Sequence, residues 1–93
     1  MDIKMNPAED VIFRSFHYDT IRFFVGFPLF VIYAHPADYP KKYVARVFAV
    51  DKPTNMVAIA DSYQDILKAI PTERTCRFGR TCIDDPCIVE TWF

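Results

Sequence analysis

Ninety-three residues with a formal net charge of −1 are enough for one domain with a modest core, and they create no global field that would draw the chain to nucleic acid or anionic lipid. The longest uncharged run, Phe23 to Ala34, is 12 residues long and is broken by Gly26 and Pro28, well short of the ~20 apolar residues that span a bilayer. Nine Ile and eight Val stand against two Leu, beside nine Phe and five Tyr, and this bias favours strands over a helical bundle.

Residues 1–5 read as a loose tail. Asn6-Pro7-Ala8-Glu9-Asp10 then has the form of a helix start, with a capping Asn, Pro at the first helical position and acidic residues in the first turn. Ile12, Phe16, Phe23 and Phe24 can share one helical stripe, so residues 7–24 are expected to be helical, although their aromatic and β-branched side chains individually prefer strands. Gly26 and Pro28 end that segment, and Leu29 to Ala34 reads as a short buried strand. His35 to Pro40 is a loop stiffened by two prolines.

Tyr43 to Ile70 is the stretch around which the chain is organised. Tyr43 to Val50 alternates on the strand period, with Val44, Phe48 and Val50 on one face interrupted only by Arg46, and Tyr43, Ala45, Val47 and Ala49 on the other. Two largely apolar faces predict a central strand, covered by a helix on one side and by more chain or a second subunit on the other. Residues 51–55 carry turn chemistry, Met56 to Ala60 reads as the return strand, and Asp61 with Gln64 or Ser62 with Asp65 has the spacing of a capping box. Tyr63, Ile66, Leu67 and Ile70 form the apolar stripe of the helix that follows, which Pro71 terminates. Residues 72–85 form a polar excursion with room for a short strand at Cys76 to Phe78, and Cys87 to Phe93 alternates as a last strand expected to pair with a central one. The order α-β-β-β-α-β predicts an α+β domain over residues 1–93, a mainly antiparallel sheet of about four strands with both helices on one face.

Three cysteines, an odd number, make no disulfide framework and fit a reducing compartment. The segment MDIKMNPAED lacks a basic stretch leading into an apolar one, so a cytoplasmic location is expected. Cys76, Cys82 and Cys87, with His35 or His17, invite a zinc reading, but their gaps of five and four residues lack the CxxC knuckle that aims two thiolates at one ion. Buried or half-exposed thiols are the simpler expectation, and a Cys76–Cys82 disulfide or an arginine-activated thiol is the alternative. Neither a cofactor nor a metal is therefore expected.

Arg74, Arg77 and Arg80 recur every third residue with Phe78 between them, a pattern able to clamp phosphates while the ring stacks on a base. The plainer alternative is solvated charges paired with Glu73, Asp84 and Asp85. Asp84 and Asp85 are adjacent, so on extended chain they point to opposite sides and suit capping better than acid–base work. Glu90 lies in apolar company on the last strand, and Arg46 is the matching intrusion in the hairpin, so a cross-strand ion pair between them is expected. No Ser sits in a nucleophile-elbow context and neither His17 nor His35 adjoins a candidate nucleophile.

Aromatics make up 16% of the chain, more than a core of this size hides, and those at element edges are the natural anchors of an interface. Phe27, Phe30, Tyr33, Tyr39 and Tyr43 are the candidate interface residues. The sequence thus predicts a non-enzymatic protein-interaction or self-associating module, a homodimer among the possibilities, with no membrane contact. The alternative is a nucleic-acid-associated protein using Arg74, Arg77, Phe78 and Arg80.

Overall fold

The computed structural model describes residues 10–50, 52–78 and 87–93. Along them run β1 (Val11–Phe13), α1 (Tyr18–Val25), β2 (Pro28–Ala34), β3 (Tyr43–Ala49), β4 (Lys52–Ala60), α2 (Tyr63–Ala69), a 3₁₀ turn (Thr72–Arg74), β5 (Arg77–Phe78) and β6 (Ile88–Trp92). The class is α+β. The sheet has six strands rather than about four, in the order β1-β4-β3-β2-β6-β5, and it is mixed, because β1 runs parallel to β4 while every other pairing is antiparallel.

The difference arises at the start of the chain. The Asn6–Glu9 helix start and the tail at 1–5 lie outside the described residues, but the helix expected over 7–24 is replaced by a strand, an irregular link and a shorter helix. Val11-Ile12-Phe13 follows the preference of β-branched and aromatic side chains and pairs with Met56-Val57-Ala58. The helix proper keeps the stripe Tyr18, Ile21 and Val25 toward the core, and its axis ends where Gly26, at φ +83°, turns the chain and donates its N–H to the Arg22 carbonyl at 2.8 Å. That left-handed backbone is accessible to glycine at little cost.

The hairpin and helix of residues 43–70 form as expected, with a tighter turn. Ala49 pairs with Lys52, so β4 begins four residues ahead of Met56. Pro53 is tolerated in it because, among the described residues, β1 reaches only Met56 to Ala58 and no strand pairs with that edge of β4 at Pro53. Val50 reverses the chain at φ +63°. Of the two capping pairs, Ser62 and Asp65 are used: the Ser62 hydroxyl accepts the Asp65 N–H at 3.1 Å.

Both helices pack on one face of the sheet. Ile21 of α1 and Ile66 of α2 meet Phe30 and Ile32 of β2, Ala45 and Val47 of β3, and Ala58 of β4 in one core. Ile66 and Phe30 are fully buried, a contribution of about 1.5–3 kcal/mol each. The opposite face carries Val31, Val44 and Val57, also buried, and the loop between β2 and β3 folds against it through two successive turns, Tyr39 N–H to the Pro36 carbonyl and Lys42 N–H to the Tyr39 carbonyl. The second cover expected for β3 is therefore supplied by the chain's own loop. As expected, β6 pairs with the interior strand β2. Among the described residues no helix is long and apolar enough to cross a membrane.

Candidate functional site

Three groups of side chains stand apart from ordinary core and surface. The first is ionic. Arg46, on the face away from the helices, holds Asp10 with both terminal nitrogens, Nη1 to Oδ1 at 3.0 Å and Nη2 to Oδ2 at 3.1 Å, and gives a further hydrogen bond to the Thr54 carbonyl at 2.7 Å. The Asp10 side chain is wholly buried, and the Tyr39 hydroxyl donates to it at 3.2 Å. Burial raises the Tyr39 pKa above the ordinary tyrosine value, and the nearby Asp10 charge and this hydrogen bond push the same way. Above this lock lies an open pocket of about 360 Å³ walled by Tyr33, Tyr39, Val44, Phe48 and Pro53, with Asp38 at its lining. Since the charge of Arg46 is met by Asp10, the guanidinium holds the loop in place rather than standing ready for an anionic ligand.

The expected Arg46–Glu90 pair does not form. Arg46 pairs across β2 with Val31, and Val31 in turn with Thr91, so Glu90, next to Thr91, faces the other side of the sheet. There it is buried under α2 and accepts from the Tyr63 hydroxyl at 2.7 Å and the Trp92 indole N–H at 2.8 Å, with Arg77 Nη1 at 3.9 Å. Burial, the hydrogen bond to Glu90 and the Glu90 charge raise the Tyr63 pKa. Both intruding charges find partners, each on its own face.

The third group is apolar and exposed. With Tyr18, Ile21 and Val25 facing inward, the last turn of α1 sets Phe23 and Phe24 outside, 84% and 70% exposed, their rings edge to face at 5.4 Å. Phe27, beyond Gly26, is 59% exposed, and its carbonyl receives the N–H of exposed Val50. On the adjoining strands Phe78 and Phe93 stack at 4.4 Å, nearly parallel, and both stay substantially exposed. A concavity of about 200 Å³, lined by Tyr18, Arg22, Gly26, Phe27, Pro28 and Phe93, brings Phe27 and Phe93 into one aromatic end beside α1.

The residues singled out from the sequence are distributed among these groups. Phe27 belongs to the aromatic end, and Tyr33 and Tyr39 to the pocket. Phe30 is fully buried in the core and is removed from the interface set, because its place on β2 turns it under α1. Tyr43 is half-buried on the helix-covered face against His35 and Tyr63. Of the arginine series, Arg74 binds Asp19 at 3.2 Å and lies over the Tyr18 ring, Arg77 approaches Glu90, and Arg80 lies outside the described residues. Cys76 is exposed and the Cys87 thiol lies 3.9 Å from the His35 carbonyl, whereas Cys82, Asp84 and Asp85 fall outside the described residues. Among the described residues no three His, Cys, Asp or Glu side chains gather as a metal site would require.

What this arrangement defines is a helix-backed mixed sheet with an aromatic end. No family model, no curated protein and no solved structure matches the chain.

Proposed function

We propose that this protein is a non-enzymatic, cytoplasmic interaction module that docks a protein partner with the aromatic end formed by Phe23, Phe24, Phe27, Phe78 and Phe93. The observation that carries the reading is the pair Phe23 and Phe24, more than two thirds exposed on a regular helix with their rings in edge-to-face contact. At the 150–250 Å² that an aromatic side chain offers, the adjoining Phe23 and Phe24, 84% and 70% exposed, present roughly 300 Å² of apolar surface. That lies within the range of the largest patch on a typical monomer, and such patches are commonly functional. Phe anchors with few rotatable bonds lose little entropy on docking.

The nucleic-acid reading is supported less. Arg74 and Arg77 already face Asp19 and Glu90, and Phe78 is stacked on Phe93 rather than presented singly to a base.

Photo-crosslinking decides between them. A benzophenone side chain placed at position 24 in cells is expected to trap protein, while the same group at exposed Gln64 on α2 traps little. Equal yields at both positions, or crosslinks to nucleic acid alone, would overturn the reading.

A further inference from the structure

The pocket above the Arg46–Asp10 pair is built from two parts of the chain. On the sheet, Tyr33 stands directly opposite Val44, and Arg46 and Phe48 follow Val44 at every second residue of β3, so these four side chains share the face turned away from the helices. The loop between β2 and β3 supplies Asp38 and Tyr39. It is held over that face by the Tyr39 N–H bond to the Pro36 carbonyl at 2.9 Å and by the Tyr39 hydroxyl bond to Asp10 at 3.2 Å. The volume of about 360 Å³ falls within the range of about 300–1,000 Å³ usual for small-molecule sites. None of the five rings of the aromatic end contributes to its walls.

We infer that this pocket binds a small organic ammonium cation, with its quaternary or N-methylated head group among the rings of Tyr33, Tyr39 and Phe48 and with Asp38 as counter-ion. Three half-buried rings line one hollow, and the negative face of an aromatic ring attracts a cation. The charges point the same way. Among the lining residues Asp38 and Arg46 alone are charged, and Arg46 is met by both oxygens of buried Asp10. Asp38 is exposed and has no ion-pair partner among the described residues, so its carboxylate leaves the pocket with a net negative charge. An anion would be repelled by that carboxylate and would find the Arg46 charge already taken. A metal ion would meet one carboxylate where it needs several oxygen ligands. Methyl groups on a cationic nitrogen shed water readily and fill an apolar wall, which is how aromatic sites recognise quaternary ammonium. Because Asp10 already ties the loop down, little ordering remains to oppose binding.

Titration with choline chloride, followed residue by residue through the amide NMR shifts, is the test; it runs to about 50 mM because so small a ligand binds at millimolar strength. Saturable shifts are expected at Tyr33, Asp38, Tyr39 and Phe48, and none at Phe23 or Phe24. The neutral carbon isostere, in which a tert-butyl group replaces the trimethylammonium, is expected to bind about tenfold more weakly or worse, as a ring site that senses charge requires. Asp38→Asn, on an exposed loop, should weaken choline binding about threefold or more, and Phe48→Leu about tenfold, with the rest of each spectrum that of the folded protein. Equal affinity for the isostere, unchanged affinity in Asp38→Asn, or the same shifts from sodium acetate would show a pocket indifferent to positive charge and would overturn the inference. The absence of a saturable shift at the highest choline concentration would overturn it as well.

Discussion

Arg46 reaches Asp10 with two parallel hydrogen bonds, 3.0 and 3.1 Å long, joining the middle of the sheet to the segment that leads into its first strand. The acid is fully buried and the arginine nearly so. Removing one partner strands the other charge away from water, whereas replacing both by apolar groups removes the desolvation cost as well. Arg46→Ala is therefore expected to destabilise by about 3 kcal/mol in urea unfolding, and Arg46→Met with Asp10→Leu to regain most of that loss. A double variant no better than the single one would show that the pair acts through something other than its charge.

Glu90 gathers two donors beneath α2. With Glu90→Leu, the half-buried Tyr63 hydroxyl and Trp92 N–H lose their acceptor, a cost of about 1–3 kcal/mol for a donor left unsatisfied and less where water reaches it. Glu90→Gln retains an acceptor oxygen and is expected to fall in between. Trp92 is the sole tryptophan, so its fluorescence reports on this site, and the emission of the Leu variant should shift even where the protein remains folded.

Tyr39 and Tyr63 both have raised pKa values in the fold. The folded state then keeps these protons to a higher pH than the unfolded chain does, so their contribution is complete below the ordinary value of 10.0 and declines as the pH rises through the folded values. Stability measured by urea at stepwise alkaline pH should fall above about pH 10. In Tyr39→Phe and Tyr63→Phe the fall should be shallower, and unchanged slopes in both would contradict the assignment.

The Ser62 hydroxyl satisfies one otherwise unpaired N–H at the start of a seven-residue helix. Ser62→Ala is expected to cost about 1 kcal/mol, or about 4–8 °C in melting temperature for a chain of this size.

Val50, a β-branched residue at φ +63°, holds a backbone position that Asn or Gly tolerates better. Because its side chain is 62% exposed, Val50→Asn is expected to raise stability by about 1 kcal/mol, as relief of a left-handed strain does. A lower melting temperature would show that the Val50 side chain contributes more through packing than the turn loses through strain.

The local signals were legible where one physical effect dominated. Ser62, Asp65 and the stripe from Tyr63 to Ile70 gave the second helix almost to the residue, since a short capped helix has few alternatives. Val11 to Phe13 reads as helix because five residues of helix-start chemistry lie just ahead of it, and only its partner on β4 reveals a parallel strand. The expected Arg46–Glu90 pair failed for a different reason. Each residue was correctly placed on a strand and correctly seen as needing a partner, but the faces are fixed by the pairing of β2 with β6, which no local pattern contains. In the aromatic end, Phe27 was found by its position at an element edge. Phe23 is legible from the inward stripe Tyr18, Ile21 and Val25, which leaves it on the opposite side of the helix.

The place of β6 beside β2 also bears on how the chain reaches its native state. The meander β2-β3-β4 with α2 is made of neighbours in sequence and closes small loops, whereas Val31 and Thr91 must find each other across the intervening hairpin and helix. Loop closure of that kind is slow relative to turn formation. The meander is therefore the natural nucleus, and β6, with the stacked ring Phe93 just beyond it, completes the sheet late. Until it does, the edge of β2 is open to pairing with other chains, so the rate of that last step sets how long the nascent molecule is at risk of misassembly.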